Sequence, residues 1–330
     1  MDTDVKAITK AVERERGALV ALRDALQGVV LGQERLVDRL LMALLANGHV
    51  LLEGVPGLAK TLAVQTLSEG LAGSFARLQF TPDLLPADLV GTLVYSPKSG
   101  EFSVKQGPIF VNVVLADEVN RAPAKVQSAL LEAMQERQVT IGDETFLLPD
   151  PFLVLATQNP IEQEGTYPLP EAQVDRFLFK VHVDYPDRDV ERRILDVHGT
   201  NRRREPLRPV LGTDDVIRLR ELTDRIYVDD KVKAYVVELV HATRVPAEHG
   251  LARLAPLVEF GASPRATLSL VRAARASAFL AGRGYVTPQD VKDVAPEVLR
   301  HRLVLSYEAE ARQTTSDDVI RSILSEVPVP

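Results

Sequence analysis

The feature that most constrains this chain is the octapeptide GVPGLAKT, Gly54–Thr61. It stands between an apolar run, HVLLEG (His49–Gly54), and a helical stretch that begins at Lys60. Strand, glycine-rich turn and helix in that order wind the backbone tightly enough for successive N–H groups to converge. The helix adds the positive end of its dipole. A loop of this kind suits phosphate. Lys60 is placed to bridge β- and γ-phosphates, and Thr61 to offer a hydroxyl to Mg²⁺. The general pattern G-x-x-x-x-G-K-[ST] has glycine where this chain has Ala59. Alanine is the smallest alternative, and it suits a position already turning into helix. The expected binding set is Gly54, Val55, Pro56, Gly57, Leu58, Ala59, Lys60, Thr61 and Leu62, with ATP and Mg²⁺ as ligands.

Around this loop, short apolar runs alternate with helical periodicity. FARLQF (Phe75–Phe80), FVNVVLAD (Phe110–Asp117), FLVLATQN (Phe152–Asn159) and FLFKVHVD (Phe177–Asp184) read as strands beside HVLLEG. Asp4–Gln27, Glu34–Asn47, Lys60–Leu71 and Ala122–Glu136 read as helices, the first ended by Gly28. Val29–Gln33 reads as a short extended piece. Apolar strands alternating with helices imply a parallel sheet covered on both faces. Two hairpins interrupt the order: Thr92–Lys105, turning at 98–100, and Val139–Leu148, turning at Gly142-Asp143. After Asp184 the strand pattern stops. A charged helix (Asp187–His198) and an arginine-rich joint (Thr200–Pro209) lead to helical stretches at Asp214–Ile226, Asp230–Thr243, Pro264–Ala281 and Pro288–Arg302.

The run VNVVLADE (Val111–Glu118) delivers two carboxylates at the end of an apolar strand, the edge at which parallel sheets bind ligands. Asp117 is expected to hold Mg²⁺ through water. Glu118 is expected to orient and polarise an attacking water, since phosphoryl transfer needs mainly positioning and charge stabilisation. Asn159, ending its own strand, is expected to hydrogen-bond the γ-phosphate or that water.

Composition limits the rest. With no cysteine among 330 residues, disulfide frameworks, thiol nucleophiles and cysteine zinc sites are excluded. A formal charge of −7 argues against a broad basic field, so nucleic acid is not the expected partner. The charged start MDTDVKAITKAVERERG has no apolar core of a signal peptide, and no run reaches the roughly 18 apolar residues of a membrane helix. The expectation is a cytoplasmic protein without membrane insertion.

Taken together, GVPGLAKT, LADEVNRAPAKVQSALLEAMQERQVTIG (Leu115–Gly142), ATQNP (Ala156–Pro160) and LPEAQVDRF (Leu169–Phe177) resemble the MoxR family of AAA+ ATPases, over about Val29–Pro296. The leucine–alanine form of the loop is itself typical of that family. The resemblance implies an α/β P-loop NTPase (AAA+) fold: a parallel five-stranded αβα sandwich followed by a smaller all-helical lid. The corresponding domains are residues 1–186, with an N-terminal helix and the two hairpins as inserts, and residues 187–330. It implies that Arg176 is an arginine finger reaching a neighbouring subunit's γ-phosphate, and that Arg265, in GASPRA, is the second sensor, acting in its own subunit or a neighbour. Val30, Gly32 and Gln33 match the segment lining the adenine pocket. Arg121 either meets a neighbour's nucleotide or caps a helix. The hairpins line a pore or one face of a ring, or are plain surface hairpins. The implied function is ATP hydrolysis by a ring, six subunits in the family, that remodels or activates protein complexes, often beside a von Willebrand factor A domain protein. The alternatives are an assembly switch with little turnover and a DNA-remodelling motor.

Overall fold

A computed structural model describes residues 2–55, 57–98, 100–159, 166–199 and 204–330. In chain order the first nine strands are β1 (Val50–Glu53), β2 (Phe75–Gln79), β3 (Gly91–Ser96), β4 (Glu101–Gln106), β5 (Val113–Asp117), β6 (Gln138–Ile141), β7 (Glu144–Leu147), β8 (Leu153–Gln158) and β9 (Phe179–His182). Each of the five apolar runs contributes one strand to a single sheet, in the order β2-β5-β8-β1-β9. The ladders β2–β5, β5–β8 and β1–β8 are parallel. The central strands β5 and β8 are buried along almost their whole length, as near-continuous apolar runs must be. Parallel pairing puts the carboxyl ends of β1, β2, β5 and β8 at one edge. The remaining strands make the two antiparallel hairpins, β3–β4 and β6–β7.

The helices of this region are α1 (Asp2–Val29), α2 (Glu34–Leu45), α3 (Lys60–Gly70), α4 (Pro86–Val90), α5 (Ala124–Glu136), α6 (Glu171–Val174) and α7 (Arg188–His198). α1 does not stop at Gly28. It runs to Val29, and the Val30 N–H still donates to the Leu26 carbonyl at 2.8 Å. Glycine inside a helix costs about 1 kcal/mol, less than the burial of Leu19, Leu22 and Leu26 on the same helix returns. The segment expected to be extended is therefore a helix end and a turn, with Gly32 at φ 72.

Contacts divide the chain into two compact units. One comprises Val20–Arg176 and Val181–Ile217 and carries most of the sheet; the other comprises Met1–Leu19, Phe177–Lys180 and Arg218–Pro330. The division departs from a break at 186, because residues 187–217 are tied to the sheet-bearing unit. There the Arg204 guanidinium pairs with Glu69 at 2.7 Å, and the Val210 N–H donates to the Gly70 carbonyl at 2.8 Å. Val190 of α7 packs against Gly32, where a Cβ would lie 2.4 Å from its Cγ1.

The second unit contains α9 (Asp230–Arg244), α10 (Pro264–Leu280), α11 (Pro288–Leu299), α12 (Tyr307–Ala311) and α13 (Ser316–Glu326), after α8 (Thr213–Asp224), which spans the division. The unit is otherwise mainly helical, with a short antiparallel pair, Val258–Phe260 with Val304–Leu305, and the first residues of β9. Alanine-rich α10 packs closely on α11, with Ala266, Ala273, Ala274, Ala276 and Ala278 fully buried. No helix is long and apolar enough to cross a membrane among the described residues.

Candidate active site

β1 ends at Glu53 and the chain turns at once. A Cβ on Gly54 would sit 2.6 Å from the Val183 carbonyl oxygen, so only glycine lets the loop press against that backbone. Gly57 takes φ 89. Ala59 is not yet helical. It sits at φ 57, ψ 16, left-handed, immediately before α3. This is the position where the general pattern has glycine, and an L-residue there costs roughly 1–2 kcal/mol. The N-terminus of α3 has no side-chain cap, so its first N–H groups are free for an anion. Pro56 lies outside the described residues.

The Lys60 ammonium folds back and donates to the Gly54 carbonyl. Burial lowers its pKa; the nearby carboxylates of Asp117, Glu118 and Glu53 pull it back upward without cancelling that effect. A cation over a tight loop, facing three carboxylates, is what a polyphosphate with its metal requires.

Asp117 ends β5 and Glu118 follows it at φ 56, ψ 51, a second left-handed non-glycine residue. The kink turns both side chains into the same cleft. Thr157 on β8 locks them: its hydroxyl donates to Asp117 Oδ1 at 2.5 Å and accepts the Glu118 N–H at 2.8 Å. β2 holds them from the other side. Arg77 donates to Asp117 Oδ2 at 2.6 Å, and Gln79 donates to Glu118 Oε2 at 2.8 Å. Arg121, one turn on, lies 3.1 Å from the same Glu118 oxygen.

A cavity of about 430 Å³ is bounded by Gly57 to Leu62, Arg77, Gln79, Asp117, Glu118, Thr157 and Asn159. Asn159 is 6% exposed at the end of β8. A second cavity of about 240 Å³ lies on the other flank of the loop, lined by Glu53, Gly54, Val55, Leu58, His182, Val183, Asp184 and Tyr185. Gln33 reaches its rim, donating to the Asp184 carbonyl at 3.1 Å. Val30 is buried, and neither it nor Gly32 lines this cavity. The remaining expected residues lie elsewhere. Arg176 donates Nη1 to the Leu131 carbonyl of α5 at 2.8 Å. Arg265 is exposed at the first turn of α10, its N–H donating to Ser263 Oγ at 3.2 Å.

Sequence reasoning missed Arg77, Gln79 and Thr157. Arg77 and Gln79 are two residues apart in FARLQF, hence on one face of a strand, and that alternation was the available signal. What it touches depends on register: Gln79 stands opposite Asp117 in the β2–β5 ladder. For Thr157 there was no signal beyond its place in ATQNP.

Fold and cleft together define a P-loop α/β core accompanied by a helical lid. The family described as "ATPase family associated with various cellular activities (AAA)" matches residues 49–179, and the AAA lid domain matches residues 251–323. The chain is 53% identical to the chaperone MoxR1 of Mycobacterium tuberculosis, over 92% of this chain and 80% of that one. It is 46% identical to YeaC of Bacillus subtilis, over 92% of each. Identity to the protein MoxR of Methylorubrum extorquens is 34%, over 96% of each. A crystal structure from Cytophaga hutchinsonii superposes with a TM-score of 0.92 at 48% identity, over 98% of each chain. The chain belongs to the MoxR family of AAA+ ATPases.

Proposed function

We propose that the chain hydrolyses ATP, with Mg²⁺, in the cleft of Gly54–Thr61, as one subunit of a six-membered ring that remodels protein complexes. One observation carries the catalytic part: Asp117 and Glu118 face Lys60 across a single cavity, both held in place from β2 and β8. The cavity falls in the size range of small-ligand sites. The residues fit a metal–nucleotide: uncapped helix N–H groups and Lys60 suit phosphate, while the Thr61 hydroxyl and the Asp117 carboxylate are hard oxygen donors suited to Mg²⁺. When bound, Mg²⁺ supplies charge neutralisation on the phosphate oxygens.

In this reading Gly54–Leu62 cradle the phosphates, and Arg77 must yield Asp117 as the metal arrives. Glu118 orients the attacking water once Gln79 and Arg121 release its oxygen. Asn159 senses the γ-phosphate. Gln33, with Val30 and Gly32 behind it, borders the base pocket. Arg176 serves a neighbour's nucleotide, for which its bond to Leu131 must open. Arg265 is the second sensor. The sheet-bearing unit acts as nucleotide core and the helical unit, mainly residues 218–330, as lid. Protein clients, a von Willebrand factor A domain partner and a cytoplasmic setting complete the proposal. Support comes from the relative named as a chaperone and from the charge of −7, which does not suit a nucleic-acid track.

The test is Glu118→Gln. It should bind a fluorescent ATP analogue with near wild-type affinity, assemble, and lose turnover by about 10²-fold or more. Turnover within about threefold of wild type would remove Glu118 from the mechanism. Client activity persisting without hydrolysis would favour a scaffold.

A further inference from the structure

At the end of α11 three consecutive side chains, Arg300, His301 and Arg302, turn to one short segment, Phe177–Lys180. Arg302 donates Nη2 to the Phe177 carbonyl at 2.7 Å and Nη1 to that of Leu178 at 3.4 Å. His301 Nε2 lies 3.0 Å from the Phe177 carbonyl. Arg300 Nη1 reaches the Lys180 carbonyl at 3.3 Å. All of these contacts lie within the helical unit, to which Phe177–Lys180 belongs.

The three side chains are themselves held. Arg302 is 7% exposed and donates also to the Val298 carbonyl and to Ser269 Oγ. Arg300 pairs with Asp317 at 3.1 Å. A carbonyl can only accept, so His301 donates through Nε2; its Nδ1 is buried with no hydrogen-bond partner. Burial first, then the charge of Arg302, keep this imidazole well below its ordinary pKa, which suits a neutral ring with one bare nitrogen.

Buried carbonyls need donors, but neutral donors suffice for that. The buried Arg302 guanidinium and its half-buried neighbour Arg300 are costly to desolvate, and a planar fork fixes direction as well as charge. The segment they grip begins one peptide bond after Arg176, where the chain passes from one unit to the other. Arg176 is incompletely satisfied where it rests: its Nε is buried without a hydrogen-bond partner.

We propose that Arg300, His301 and Arg302 are positioning residues for Arg176. By gripping the carbonyls that follow it, they tie the setting of Arg176 toward a neighbouring subunit's nucleotide to the helical unit of its own. This rests on the reading of Arg176 as a cation acting across subunits.

The test uses the full chain carrying Arg302→Met, with Arg302→Lys, which keeps charge and a donor but not the fork. Arg176→Ala and the double variant Arg176→Ala/Arg302→Met complete the set. Arg302→Met should bind the fluorescent ATP analogue within about twofold of wild type, since its own cleft is intact, and lose kcat at least tenfold. Arg302→Lys should fall between. The double variant should be no worse than Arg176→Ala, as residues acting as a unit are not additive. Mixed with Glu118→Gln subunits, which carry an intact Arg176, Arg302→Met should regain turnover. If Arg302→Met does not fold, Arg302→Lys is read on the same terms. Wild-type kcat in the folded Arg302 variants, additivity with Arg176→Ala, or weakened nucleotide binding in place of lost turnover would overturn the inference. Wild-type turnover by Arg176→Ala itself would instead overturn the reading beneath it, and the inference with it.

Discussion

Helix starts around the cleft are built differently from the α-helix starts of the helical unit. In the helical unit, α9 to α13 each begin with an extended residue, Asp229, Ser263, Thr287, Ser306 or Thr315, whose side chain accepts a backbone N–H of the first turn. Around the cleft, α3 and the 3₁₀ turn Val119–Arg121 begin instead with left-handed residues, Ala59 and Glu118, and neither has a side-chain cap. The other non-glycine residues with positive φ among the described residues are Asn47, Arg137 and Gln313. They follow helices, where such a turn is ordinary. Strain at a helix start is thus confined to the cleft. A cap satisfies donors permanently; an uncapped, strained start keeps them for a ligand.

The charges differ in the same way. In the helical unit Asp290 accepts from Arg283 at 2.6 Å and 2.8 Å, from Ser277 at 3.0 Å and from Thr287. Burial raises its pKa, but the bonds from Arg283 and Thr287 outweigh it and hold the carboxyl below its ordinary value. That carboxylate has no capacity left for anything else. Asp117 and Glu118 are held by groups that can swing away, such as the half-exposed Arg77.

The largest effect should come from Asp290→Ala, which strands Arg283 and removes part of a capping box. It should destabilise the fold by about 4 kcal/mol, read by thermal or urea unfolding. Because the folded pKa is depressed, this contribution is complete above the ordinary carboxylate pKa and lost as pH falls through the lowered one. The gap between wild type and variant should therefore shrink below about pH 4. A gap constant with pH would show that the pair is not the source. Next comes Thr157→Val, which keeps shape and removes the hydroxyl between Asp117 and Glu118. About 2 kcal/mol should be lost through the unsatisfied Glu118 N–H, together with a larger fall in turnover than in nucleotide affinity. Unchanged turnover would mean that the lock on the carboxylates is not needed. The smallest and most diagnostic is Ala59→Gly, which should raise stability by about 1 kcal/mol by relieving the left-handed alanine. A loss of stability would show that the strain read at this helix start is not there, and would break the contrast between the cleft and the helical unit.

Much of this was legible beforehand because it is local. The five strands and the loop follow from runs of apolar residues, glycine placement and flanking helices. Val113–Ala116 and Leu153–Ala156 are apolar throughout because both faces are covered, and the sequence carries that directly. Gly28 misled, since a local helix-ending signal was overruled by the leucines buried before it on the same helix. Ala59 misled as well, since a residue type does not disclose its backbone angle.

By itself, then, the chain determined that a phosphate loop would sit beside an acidic strand end in a parallel sheet. Those features need only residue type and spacing within a few turns. Tertiary structure alone decided who holds the acids and who holds the strand after Arg176. Gln79 meets Glu118, and Arg77 meets Asp117, only through the register of β2 on β5. Arg302 meets Phe177 across 125 positions of chain. Pairings of that kind come from packing, and spacing along the sequence does not encode them.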